Sequence, residues 1–245
     1  MRRAPAGLAG ARQRGIALLV VMIVVLLSSL LALWAFRTSL VNEAIVGNDA
    51  DYQRAFEAAQ AMIQDAELDI QGMRADGTSC VSEPTNTKIC RMGTTVRFID
   101  EMAAFQRLLT RLSAETTTQC LNGICLKRAG AQDFWSADAT MNPMIADNVG
   151  ARYGEYTGAL PATGSTAMVN PLLTERTARR GAWYWIEVMQ YASTGESSVV
   201  SNASQTMALN LSPRVVYRIT AVARGLKEGT QVVLQSTFAR QKIRD

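Results

Sequence analysis

Hydrophobic positions along this chain follow three regimes. From Ile16 to Phe36 nearly every residue is apolar and none is charged. Read as helix at about 1.5 Å per residue, that run spans roughly 30 Å, the thickness of a bilayer's hydrocarbon core. Beyond it the pattern becomes periodic. Phe56, Ala59, Ile63, Ala66 and Ile70 recur at helical spacing, with Glu57, Gln64 and Asp65 assigned to the opposite side. The stretch has no proline and one interior glycine, Gly47, followed by Asn48. The pattern predicts one helix over 16–71, loosened or bent at Gly47-Asn48 because glycine costs about 1 kcal/mol inside a helix. In the third regime, Trp183–Tyr191, Arg214–Arg224 and Thr230–Arg240 are rich in β-branched and aromatic residues and read as strands. GLKEG between the last two is a hairpin signal.

The remaining segments are weaker. Gly72–Ile99 is turn-rich. A second helix is predicted over 100–113, with Asp100 as its cap and Met102, Phe105, Leu108, Leu109 and Leu112 as its apolar stripe. Residues 128–180 repeat Gly, Thr, Asn and Pro without long periodicity and read as loop with short elements. Three antiparallel strands with one apolar face would cover the helix stripe. The expected fold is therefore α+β: a long N-terminal helix, membrane-spanning in its first half, packed against a small antiparallel sheet.

Charge sets the expected topology. The formal net charge is +4, but Arg2, Arg3, Arg12 and Arg14 all precede Gly15 and no acid does. Without those four arginines, 21 basic residues face 21 acidic ones. Such a tail reads as a topology signal, and no nucleic-acid partner is expected. The apolar run exceeds the about 7–15 residues of a secretory signal and ends in Trp34, Phe36 and Arg37, like an interfacial belt. A single pass with a cytoplasmic N-terminus and an exported C-terminal part follows.

All four cysteines, Cys80, Cys90, Cys120 and Cys125, lie in the exported part. Of three pairings, Cys80–Cys90 with Cys120–Cys125 closes two short loops, the second (CLNGIC) around the turn-forming Asn122-Gly123. Zinc is the competing reading. It is disfavoured by the Cys-x9-Cys spacing and by the absence of histidine. That absence also removes histidine-based acid–base chemistry and Ser-His-Asp triads, so no enzyme and no cofactor are expected. Asp49, Asp51, Asp65, Glu67 and Asp69 read as a solvated helix face at assorted angles. Trp183, Tyr184, Trp185 and Tyr191 read as sheet core or, alternatively, as an exposed binding patch. Asn202-Ala203-Ser204 fits a glycosylation acceptor pattern, a weak signal in a chain of bacterial character.

QRGIALLVVM, at residues 13–22, resembles the class III signal of the type IV pilin superfamily. Glu43, Gly47-Asn48, Ala55-Phe56, Ala58-Ala59 and the closing VVLQSTFAR resemble minor pilins of the PilX type. The resemblance covers both ends of the chain and hardly touches the middle. It implies a basic leader over 1–15, removed by a prepilin peptidase between Gly15 and Ile16. It further implies a helix over 16–71, transmembrane over 16–36, and a periplasmic head over 72–245. Most pilins carry a glutamate where this chain has Val20, taken to pair with a neighbouring subunit's terminal amine. A buried carboxylate without a partner is costly, so its absence suits a subunit with nothing in front of it, at or near a pilus tip. Relaxed selection on a simple anchor is the blander reading of Val20. Glu43 is either an intersubunit contact or a solvated residue at the membrane edge.

The implied role is initiation of pilus assembly, supporting adhesion and twitching motility. Implied partners are other minor and major pilins, a tip adhesin, the inner-membrane assembly platform, the peptidase and membrane lipid. The implied location is the bacterial inner membrane and then the extracellular pilus. Two alternatives remain: a type II secretion pseudopilin resembling GspK, and a membrane-anchored periplasmic binding module.

Overall fold

The structure, a computed structural model, describes residues 13–81, 85–160, 169–191, 211 and 213–240. Most of the basic leader and the Asn202 sequon lie outside those residues. The chain divides into two compact units, 1–50 and 51–245.

Helix α1 (Gln13–Gln71) belongs to the first unit up to Ala50. Every residue from Ile16 to Val46 is exposed. Among the described residues this is the one helix long and apolar enough to cross a membrane. Two of its polar side chains bond back within the helix: Ser29 Oγ donates to the Val25 carbonyl (2.8 Å) and Thr38 Oγ1 to the Trp34 carbonyl (3.0 Å). The expected loosening at Gly47-Asn48 is not found. The helix runs through both, because one glycine's cost is small beside an unbroken ladder on each side. The end is sharp. Gly72 takes φ +65°, its N–H bonds the Asp69 carbonyl (3.1 Å), and Met73 N–H bonds the Leu68 carbonyl (2.9 Å). This is a Schellman cap, whose left-handed position favours glycine.

In the second unit, the stretch of α1 from Asp51 lies on a five-stranded sheet. Its strands are β1 (Cys120–Leu121), β2 (Ile124–Leu126), β3 (Gly181–Gln190), β4 (Val215–Arg224) and β5 (Gln231–Phe238), in spatial order 1-2-3-4-5. All neighbours are antiparallel except β2 and β3, where Ile124 pairs with Ile186 in parallel register. The three expected strands are thus the centre and one edge of a wider sheet. The added pair is two and three residues long, too short to show any alternation. Asn122 (φ 53°) and Gly123 (φ 78°) form its turn, and Cys120 faces Cys125 across it.

Ala55, Ala58, Ala59, Met62, Ala66 and Ile70 press against Tyr184, Ile186 and Val188 of β3 and Tyr217, Ile219, Ala221 and Ala223 of β4. Four of these helix residues are fully buried alanines, and burying Met62 or Ile70 contributes about 1.5–3 kcal/mol each. The stripe is rotated from the expected one. Phe56 and Ile63 are only half-buried, at its rim.

β3 is buried on both faces. Trp183 and Trp185 point away from α1 and meet Phe134, Met141 and Met144. These come from a short 3-10 turn (Phe134–Ser136) and helix α3 (Asp138–Met144), which follows α2 (Phe105–Ser113). The Trp185 indole donates to the Met144 carbonyl (3.0 Å). The exposed-patch reading of these aromatics therefore fails for Trp183, Tyr184 and Trp185; only Tyr191, past the strand end, is half-exposed. Asp100 does not cap α2. A 3-10 turn (Met102–Ala104) intervenes, and Asp100 instead accepts from Arg240 (3.1 Å).

Candidate functional site

The acidic residues of α1 divide by angle. At about 100° per residue, positions 51 and 69 fall on one line and 65 lies about 40° away, all within the arc that carries Ala58 and Met62. Asp49 and Glu67 fall on the far side. The solvated-face expectation is thus corrected for three of them: Asp51, Asp65 and Asp69 are only 1%, 2% and 6% exposed. Each fastens a different loop of the head to the helix.

Asp51 holds the β4–β5 turn, accepting from the amides of Leu226 (2.9 Å) and Lys227 (3.0 Å). Gly225 leaves the space for this; a Cβ there would run into the Asp51 carboxylate. Burial pushes this carboxyl upward, but the two amides, the Thr230 hydroxyl and Arg54 outweigh it and hold it below the usual range.

Asp65 holds the 151–160 loop. It accepts from the Gly154 amide (2.8 Å) and, through a short bond, from the Thr157 hydroxyl. Here burial wins. With Asp69 nearby adding to it, the Asp65 carboxyl is pushed up to about 6 despite both donors and Arg91.

Asp69 is the most elaborated. Arg91 grips it with Nε to Oδ1 (2.7 Å) and Nη2 to Oδ2 (2.5 Å), and the Tyr184 hydroxyl donates to Oδ2 (2.8 Å). The third arm of the guanidinium, Nη1, donates to the Asn122 carbonyl (2.8 Å) in the β1–β2 turn. Its faces lie 3.8 Å from the Tyr156 ring centroid and 4.8 Å from that of Phe98. Burial disfavours the Arg91 charge, yet Asp69 more than compensates and holds its pKa above the usual value. Burial, reinforced by Asp69 and Asp65, raises the Tyr184 phenol, so it stays a donor. Arg91 directly follows a cysteine of the bridge Cys80–Cys90 (Cα–Cα 5.4 Å), and the turn it reaches is closed by Cys120–Cys125 (Cα–Cα 4.0 Å). With all four sulfurs in disulfides, the zinc reading falls.

The arrangement joins the helix to the head at three separated points. Residues 14–64 match the PilX N-terminal family, and residues 116–240 match the C-terminal family of the type IV pilus assembly protein PilX. The chain belongs to the PilX family. No curated protein and no solved structure matches it.

PilX proteins are minor pilins of the type IV pilus, structural components outside the known enzyme families. In this PilX chain the four sequence-derived cysteines form the two disulfides of the head, and the other sequence-derived site residues lie on α1. The Gly15 backbone is within the helix, and Ile16, Val20 (51% exposed) and Glu43 all face outward. The structure brings none of these three together with another functional group. It builds three separate contacts that sequence reasoning missed, at Asp51, at Asp65 and at the Asp69–Arg91 pair. The helical angle of the three aspartates was the available signal. Nothing in the sequence marks Arg91, which reaches Asp69 from a turn.

Proposed function

We propose that this PilX chain helps to initiate pilus assembly and sits at or near the pilus tip. The N-terminus lies in the cytoplasm and the head in the periplasm while the subunit is stored in the inner membrane. Prepilin peptidase cuts between Gly15 and Ile16, and the apolar helix then leaves lipid to pack among the helices of other pilins. The observation that carries this reading is the uncharged surface of α1 from Ile16 to Phe36, with Val20 exposed on it. A surface of that size is stable only in lipid or against other apolar helices. Without a carboxylate to neutralise, the subunit needs no partner's amine in front of it. Glu43 contacts a neighbouring subunit just outside the lipid. The contacts of Asp51, Asp65 and Asp69, together an aspartate ladder along α1, transmit a pull on the helix to the head, where a tip adhesin and flanking minor pilins bind.

Three measurements test the reading. Mass spectrometry of the native protein should find Ile16 as the first residue; an intact Met1 would leave a permanent membrane anchor. Surface pili should become few when the chain is deleted. In a strain carrying Val20→Glu, incorporation along the whole shaft with normal pilus numbers would refute the tip position.

A further inference from the structure

Ala151 and Tyr184 exchange both main-chain hydrogen bonds (3.0 Å each) in an isolated antiparallel bridge, which brings the next residue, Arg152, alongside β3. The Arg152 guanidinium carbon lies 4.0 Å from the Trp183 ring centroid. Its Nη1 donates to the carbonyls of Arg180 (3.0 Å) and Glu175 (3.3 Å). Arg176, just past the short helix α4 (Pro171–Thr174), is likewise held only by carbonyls, those of Leu173 (2.9 Å) and Glu175 (3.1 Å). Among the described residues no carboxylate is bonded to either guanidinium, and only Nη1 of each is used. Nε and Nη2, the fork that takes a carboxylate in two parallel bonds, have no protein partner there. Burial, and after it the charge of Arg176, push Arg152 down to about 10, against the pull of Glu155, Asp147 and Glu175. Two of those acids are engaged elsewhere. Glu155 accepts from Lys88 (2.7 Å) and from the Arg152 amide (3.0 Å), and Glu175 accepts from the Thr177 amide (2.7 Å). Asp147 is exposed and forms no ion pair with either arginine among the described residues.

Both arginines line one open cleft of about 750 Å³ on the head. Part of its wall is apolar, at Ile145, Leu173 and Leu160, the last 80% exposed. We propose that this cleft docks an acidic peptide segment of a partner protein, with a carboxylate going to Arg152 and Arg176 and an apolar neighbour to Leu160 and Ile145. A partner's carboxylate supplies what the chain itself does not: it neutralises two like charges and occupies the open fork, a geometry that suits arginine and not lysine. The apolar wall and the size favour a peptide over a free anion. Sites for whole ligand molecules run about 300–1,000 Å³, and a lone carboxylate ion would leave most of this one empty. This partner chemistry rests on the proposed function only in that the head binds other proteins.

The test uses the full chain in detergent and a fluorophore-labelled probe, the peptide Gly-Leu-Glu-Leu-Gly with both ends blocked, read by anisotropy. Binding should saturate, and should weaken about tenfold when glutamine replaces the probe's glutamate, a comparison that also accounts for partition into micelles. Arg152→Gln should weaken binding about tenfold and Arg176→Gln about threefold, because the second side chain is exposed. Arg179→Gln, outside the cleft, should change nothing. Arg152 packs on Trp183, so Arg176→Gln decides the matter if the Arg152 variant fails to fold. No saturable binding, equal binding of the glutamine probe, or binding indifferent to Arg176→Gln would overturn the proposal. Sodium acetate displacing the probe at equal concentration would also overturn it, by marking a site for free anions alone. None of these readings depends on pilus number or on the mature N-terminus, so their failure would leave the assembly role standing.

Discussion

Replacing Arg91 with methionine tests the ladder at its strongest rung. Arg91 and Asp69 are both almost wholly buried, and the substitution removes both prongs of the guanidinium from the carboxylate. Asp69 would keep only the Tyr184 hydroxyl. Stripping one partner from a buried pair costs about 3–5 kcal/mol, most of it the penalty of the charge left behind. Set against a typical total of about 5–15 kcal/mol, this is a large share of the stability, and it corresponds to a fall in Tm of about 6–20 °C. Adding Asp69→Leu removes the stranded charge. The double variant should then recover about 2 kcal/mol relative to Arg91→Met alone, less than the whole because the Asn122 carbonyl and Tyr184 hydroxyl each lose a partner at about 1–3 kcal/mol. Denaturant titration of the detergent-solubilised chain measures this, with Trp183 and Trp185 as buried fluorescent reporters. A loss under about 1 kcal/mol for Arg91→Met, or a double variant as weak as the sum of the two singles, would refute the reasoning.

Three further outcomes follow from the same geometry. Asp65 holds its proton more tightly folded (about 6) than at its ordinary value of 3.8, so stability should fall as pH rises between those values, by about 3 kcal/mol, and then level off. Asp65→Asn, whose amide can donate to Thr157 and accept from Gly154, should flatten that slope in parallel denaturation curves from pH 4 to 7. Asp51→Asn should speed amide hydrogen exchange at Leu226 and Lys227 while leaving the centre of β4 protected, because it weakens the acceptor for both amides. Cys80→Ser with Cys90→Ser should cost about 2–3 kcal/mol, and less once Arg91→Met is present, since the bridge closes the loop that presents Arg91.

The helices and strands were legible wherever a pattern ran long enough to be periodic. α1, β3, β4 and β5 lie close to their predicted ranges, and Asn122-Gly123 marked a turn, though not the two short strands β1 and β2 that flank it. The pairing of β2 beside β3 was not legible. It is parallel, contributes three residues, and joins segments separated by the weakly patterned stretch 128–180. The α2 start was misread because Asp100 has an alternative partner in Arg240, a contact 140 residues away in the chain.

The sequence by itself determined that this chain has a helix needing lipid or other helices, a half-buried continuation, and a sheet to bury it. Those follow from local periodicity and from the cost of exposing apolar surface. It also contained the angular clustering of Asp51, Asp65 and Asp69, but not its meaning. A carboxylate on a helix looks the same whether it meets water or a donor. Only the tertiary structure decided that, by bringing the amides of a distant turn, the hydroxyl of Thr157 and the guanidinium of Arg91 to the buried face. Burial makes such groups costly alone and specific when paired, and which partners arrive is a property of the whole fold.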